Sequence, residues 1–316
     1  MHDNSAALDA GQTRSFKLPA FVCEQRLLVA VAVAFILVST LLFPNPALLT
    51  LPVMAKFFMT SIIPVFYAVI AMTFYQAVTM RSLGKAVDHT FANLLNRQNL
   101  ARAIPTVALL GLFLMNFTGI KAHIPDINPF SWDPYFASLD QWMHFGIAPW
   151  RLIESVTGYG LATVLIDKLY YLWFPVFFLA VGVAATSPDS NRLRMRFLLS
   201  FVASWIIIGV FFAILFSSAG PIFHDRLLGT TSDFAVMTAH LERINAQTPL
   251  NTILVRDGLW QLYASKTDAV VAGISAMPSM HNAICVLIFL AARHVHHLLA
   301  VIAGVFAGLI FMGSVH

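Results

Sequence analysis

Apolar positions in this chain do not alternate with polar ones; they gather into long runs. Seven stand out: Leu27 to Phe43, Phe57 to Met80, Ala103 to Ile120, Leu161 to Thr186, Phe197 to Ser218, Ser279 to Ala292 and Leu298 to Gly313. A helix rising about 1.5 Å per residue needs roughly 20 apolar residues to cross a hydrocarbon core of about 30 Å. Lipid offers the backbone no hydrogen-bond partners, so runs of this length cross it as helices. The pattern predicts an all-α integral membrane protein, a multi-span helical bundle.

The polar connectors carry a second signal. Arg14, Lys17 and Arg26 precede the first run, Arg81, Lys85, Arg97 and Arg102 follow the second, Arg192, Arg194 and Arg196 follow the fourth, and Arg293 follows the sixth. Lys and Arg concentrate on the cytoplasmic side, so these segments are expected inside, with the amino terminus. Lys56, then Lys121 and Arg151, then Arg226, Arg243, Arg256 and Lys266 are spread thinly over the alternate connectors, expected outside. The two long outer connectors are too amphipathic for plain linkers. Trp132, Tyr135, Phe136, Trp142, Phe145 and Trp150 predict a helix lying at headgroup level in the first. Ser232 to Gln247 and Leu250 to Ser265, separated by Pro249, predict a helical cap in the second.

Composition agrees with the runs. Hydrophobic residues make up 59% and charged residues 11% of 316 positions, which excludes an ordinary water-soluble domain. The net charge of +4 belongs to the connectors, so nucleic acid is not an expected partner. Cys23 and Cys285 suggest no disulfide framework. Met1 to Pro19 is polar, and no small-residue cleavage site follows it, so an uncleaved anchor is expected.

Candidate chemistry concentrates in Ser275-Ala276-Met277-Pro278-Ser279-Met280-His281, where the outer connector enters the sixth run. Pro278 and Ser279 are helix-start residues. The free N–H groups of that first turn suit a phosphate. Ser279 adds a hydroxyl, and His281 could pass a proton to a departing alkoxide. A capped helix with an interfacial histidine is the plain alternative.

Pro278-Ser279-Met280-His281 resembles the second signature, Pro-Ser-x-His, of the type 2 phosphatidic acid phosphatase superfamily. Ile274-Ser275-Ala276-Met277 looks most like its inositol phosphorylceramide synthase branch. The resemblance implies a six-helix membrane core from about Ala103 onward, behind a polar segment (1–26) and two extra spans with a basic loop (27–102). It casts His281 as the acid toward the leaving group and Pro278 and Ser279 as phosphate contacts. The first signature should close the fifth run, at Ser217 to Arg226, but its usual lysine and Arg-Pro are absent, leaving Arg226 as the ligand with His224 behind it. The third signature brings a nucleophilic histidine and an orienting aspartate. Gly313-Ser314-Val315-His316 resembles its opening, so the resemblance places those two residues and the last core helix beyond His316, with His316 itself as the other candidate nucleophile.

The implied reaction is phosphoryl transfer through a phosphohistidine, with water or an alcohol as acceptor and without metal or other cofactor. The expected substrate is a lipid phosphate at the outer leaflet, by default of a bacterial inner membrane, with the site facing the periplasm or outside. An acceptor such as inositol comes from the branch alone. A transporter or channel, or an inactive fragment, is the alternative.

Four further features are open. Asp167 and Lys168 lie inside the fourth run, where they could reach the phosphate or neutralise each other. His294, His296 and His297 read as a cytoplasmic flank rather than a metal site. Asp140 and His144, four apart, suggest an interfacial pair. Pro64, Pro105 and Pro175 are expected to kink their spans.

Overall fold

The computed structural model describes residues 25–44, 50–187, 191–265 and 273–315, and no strand occurs among them. The helices are α1 (Arg26–Leu42), α2 (Leu51–Met80), α3 (Leu83–Asn93), α4 (Arg97–Ile127), α5 (Asp133–Met143), α6 (Pro149–Thr157), α7 (Gly160–Tyr171), α8 (Trp173–Thr186), α9 (Asn191–Ile206), α10 (Pro221–Leu228), α11 (Asp233–Asn245), α12 (Asn251–Ser265), α13 (Met280–Ala292) and α14 (His297–Val315). A π-helical stretch, Ile207–Phe212, and a last turn, Ala213–Leu215, prolong α9. All seven apolar runs are helical. Five helical stretches among the described residues are long and apolar enough to cross a membrane, including α7 and α8 taken together, while α1 and α13 are shorter apolar helices. The chain is a membrane helical bundle.

Local chemistry sets several of these boundaries. Asn96 opens α4 by accepting from the Asn99 backbone N–H at 2.8 Å, and Ser232 opens α11 by accepting from Phe234 at 3.1 Å. These caps satisfy amides that have no partner within the helix. The basic stretch after α2, read above as a bare connector, contains α3. Its Thr90 is buried and accepts a hydrogen bond from Thr73 of α2 at 3.0 Å. The first outer connector forms two helices, α5 and α6, rather than one. Phe145, just past α5, is 97% exposed, and Trp142 is exposed too, as suits rings that meet lipid headgroups.

The bundle's core is aromatic. Phe113 and Phe117 of α4, Trp173 and Phe177 of α8, Phe201 and Trp205 of α9 and Ile284 of α13 share one buried cluster. Phe117 meets Trp205 edge-on with centroids 4.6 Å apart, a favoured geometry for aromatic pairs. Gly182 of α8 lies against α2: a Cβ there would collide with the Pro64 carbonyl oxygen. Such backbone-to-backbone approach is how helices pack where lipid removes the hydrophobic drive.

Above the bundle sit α10, α11 and α12. Leu241, Ile244, Leu250 and Ile253 form a second buried cluster, with Val164 of α7 against it. Arg151 joins α6 to α11 through two 3.0 Å bonds to Asp233. Buried Arg256 holds Glu242 at 3.0 Å and Asp257 at 2.9 Å. The second connector is therefore a folded cap, divided at Pro249 as its pattern predicts.

Candidate active site

Three segments converge where α13 begins. The first is the approach Gly273-Ile274-Ser275-Ala276. Its Ala276 N–H donates to the Ser218 carbonyl at 2.9 Å. Gly273 has φ +125°, a backbone state that favours glycine, and a Cβ there would come within 2.7 Å of the Lys121 carbonyl group. The second is the loop Ser217-Ser218-Ala219-Gly220 that follows α9. The third is the end of α14.

The start of α13 has the expected form. Ser279 is the N-cap, its Oγ accepting from the Asn282 N–H at 3.4 Å, and Met280 opens the helix. The amides of Met280 and His281 lie ahead of the helical ladder, as first-turn amides must. The His281 ring lies among three aromatic rings. Tyr170 stacks on it at 4.8 Å and 22°, Trp173 lies 4.3 Å away, and Phe174 meets it edge-on at 6.2 Å. Trp173 Nε1 also donates to the His281 carbonyl at 3.1 Å. The imidazole is thus oriented by α7 and α8, on either side of the turn at Leu172.

The end of α14 reaches the same place. Ser314 Oγ accepts from Asn282 Nδ2 at 3.2 Å. A Cβ on Gly313 would come within 2.9 Å of the Tyr170 ring, the one stacked on His281. Asn282 Oδ1 is buried with no hydrogen-bond partner among the described residues. His316 lies outside the described residues.

The two expected cations on other elements are engaged elsewhere. Arg226 donates to Asp257 at 3.3 Å through both Nη atoms and lies over the Trp260 ring at 5.7 Å. Its partners therefore belong to α12 rather than to the turn at Pro278. Asp257 answers with a carboxyl held below the usual range, chiefly by the Arg256 hydrogen bond, with burial opposing and the Arg256 and Arg226 charges assisting. Lys168 Nζ donates to Asp167 at 3.2 Å and to the Pro249 carbonyl at 3.4 Å. Asp167 in turn caps α12, accepting from the backbone and side chain of both Asn251 and Thr252 at 2.9 to 3.1 Å. The intramembrane pair thus fastens the cap to α7. His224 contacts Asp225 at 3.2 Å.

Other sequence candidates resolve in similar ways. His144 bonds the Asp140 backbone carbonyl at 2.7 Å rather than the carboxylate. His296 accepts from the Leu298 N–H at 3.1 Å and so caps α14. No three of His, Cys, Asp and Glu form a metal-holding group among the described residues.

Two residues escaped the sequence reading. Asp133 is buried at the start of α5 and accepts from Ser218 Oγ at 2.8 Å, Ala219 N at 3.0 Å and Gly220 N at 2.7 Å. It holds the loop against which Ala276 is bonded. The pair Asp133-Pro134 is a helix-start signal, but nothing in the sequence indicates the loop it clasps. Lys121 was assigned to an outer connector; it lies within α4, where its carbonyl group abuts Gly273 of the approach to α13.

A family model described as the PAP2 superfamily matches residues 134–315. No curated protein and no solved structure matches the chain. The family match begins beyond α4 and contains the turn at Pro278, its aromatic surround and the end of α14.

Proposed function

The chain belongs to the PAP2 superfamily, and from that premise we propose that it is a membrane enzyme that removes or transfers the phosphoryl group of a lipid phosphate. The observation that carries this reading is the meeting of Ser314 with Asn282 beside His281. Two segments distant in sequence, each resembling a signature of the family, arrive at one point.

In this reading the phosphate rests on the first-turn amides of α13, with the positive end of the helix dipole beneath it. Ser279 Oγ donates to a phosphate oxygen while still accepting from Asn282, since a hydroxyl does both. A histidine of the segment that starts at Gly313, His316 being the candidate within this chain, attacks phosphorus in line. His281 gives its proton to the departing oxygen, and the amides stabilise the charge gathering on the equatorial oxygens. Water or an alcohol then takes the phosphoryl group from the histidine. Arg226 and Lys168 belong to the rim: each would have to leave its carboxylate to meet a phosphate.

The depth of the site follows from helix length. The 13 residues of α13 rise about 20 Å, against roughly 30 Å of hydrocarbon. With Arg293 at the inner boundary, the turn at Pro278 lies about 10 Å below the outer one. A lipid headgroup would reach it from the outer leaflet beneath the α10–α12 cap. Outward orientation, a bacterial inner membrane and headgroup transfer of the inositol phosphorylceramide synthase type are the finer parts of the proposal.

Incubation of the purified chain with a lipid phosphate monoester, and separately with a phosphodiester lipid plus an alcohol acceptor, in H2 18O tests it. Hydrolysis releases phosphate carrying 18O, and transfer yields a new phospholipid by mass spectrometry. Neither product, from a folded and monodisperse protein, would sink the reading.

A further inference from the structure

The first signature's usual basic residues are absent from the loop after α9, and Arg226 is tied to Asp257. A phosphate on the turn at Pro278 would then lack a side-chain cation from that side of the site. We propose that Lys121, from α4 and outside the family match, is the cation that binds the substrate phosphate. The proposal rests on the reading of the α13 turn as a phosphate site.

The placement comes from packing. A Cβ on Gly209, in the π-helical stretch, would come within 2.9 Å of the Phe117 ring and 3.2 Å of Met280 Sδ. Phe117 of α4 and Met280 of α13 therefore close on the same glycine. Lys121 is one turn beyond Phe117, on the same face of α4, so it lies level with the turn that precedes Met280. Gly273 adds a second fix. Its backbone abuts the Lys121 carbonyl, with no room for a Cβ between them, which ties the approach to Pro278 to that turn of α4.

Lys121 is half-buried, and no hydrogen bond or ion pair engages it among the described residues. By contrast, Arg226 and Lys168 each have a carboxylate partner. An ammonium removed from bulk water and lacking a counter-ion is unfavourable. A phosphate oxygen supplies that counter-ion through a charge-assisted hydrogen bond. Lys121 would thus bind an anionic phosphate ester in the ground state and hold it through transfer, with specificity for charge rather than for the lipid chain.

Equilibrium binding of orthovanadate to the full chain in detergent tests this without requiring turnover. Lys121→Met should weaken binding about ten- to a hundredfold, the worth of one charge-assisted hydrogen bond. Lys121→Arg should restore most of it, and neither variant should lower the unfolding midpoint or change the elution volume. Unchanged binding in Lys121→Met, with binding lost in His281→Ala, would overturn the role of Lys121 and leave the site standing. A folded wild-type chain that binds no vanadate would overturn both. If Lys121→Met is unfolded and Lys121→Arg is folded, wild-type-like binding by Lys121→Arg supports the cation and a loss above a hundredfold counts against it.

Discussion

At the scale of single residues, the site depends on close fits that a methyl group would break. Gly313 lies against the ring that stacks on His281, so Gly313→Ala must displace Tyr170. Overpacking of this kind costs about 1–3 kcal/mol. A fall in the unfolding midpoint should accompany a loss of activity in that variant. Asp133 offers a second test. Its carboxylate satisfies two amides and a hydroxyl of the loop after α9, and stranding buried donors costs about 1–3 kcal/mol. Asp133→Ala should speed hydrogen exchange at Ala219, Gly220 and Ala276, the last because its acceptor is in that loop. Protection equal to wild type would show the clasp to be dispensable. The turn itself was legible in the sequence, since Pro278, Ser279 and His281 lie within four consecutive residues. Asp133, Lys121 and the Arg226–Asp257 pair were not. Each depends on a partner from another element, and hydrophobic pattern carries no record of such pairings.

At the scale of elements, pattern served best where burial is one-sided. The division at Pro249 and the extents of α11 and α12 followed from spacing, because the cap helices bury one stripe against the bundle. The short helices α3 and α10, 11 and 8 residues long, span too few turns for their spacing to stand out, and the structure supplies them. The cap's cohesion should depend on acid. The Asp257 carboxyl is held below its ordinary value of 3.8, chiefly by the Arg256 hydrogen bond. A lowered folded value means that its stabilising contribution is complete above 3.8 and fades as pH falls through the lower one. Protection in α12, taken relative to the intrinsic exchange rate at each pH, should therefore fall as pH drops through the lowered value, and Asp257→Asn should remove this component. A like dependence in the variant would assign the effect to other carboxylates. In the bundle, Gly182→Ala drives a Cβ into the Pro64 carbonyl. Separation of α2 from α8 should lower the unfolding midpoint more than Ala→Gly exchanges elsewhere in α8 do.

At the scale of the whole molecule, the sequence disclosed a bundle because membrane solvation is the strongest constraint acting on it. Seven apolar runs became helices, and the alternation of basic connectors supplied an orientation to test. The arrangement that joins α4, α7, α8, α13 and α14 around His281 was not visible in those runs. It arises from close contacts at Gly209, Gly273 and Gly313, whose neighbours are distant in sequence. The central claim is that a phosphoryl group is transferred at the turn beginning with Pro278. Its most direct measure is release of labelled phosphate from a lipid phosphate monoester, in excess EDTA, by the purified chain and by His281→Ala. The account predicts turnover by wild type and a loss of at least about a hundredfold in the folded variant, the usual scale of a general acid. Equal rates from the two proteins would contradict it.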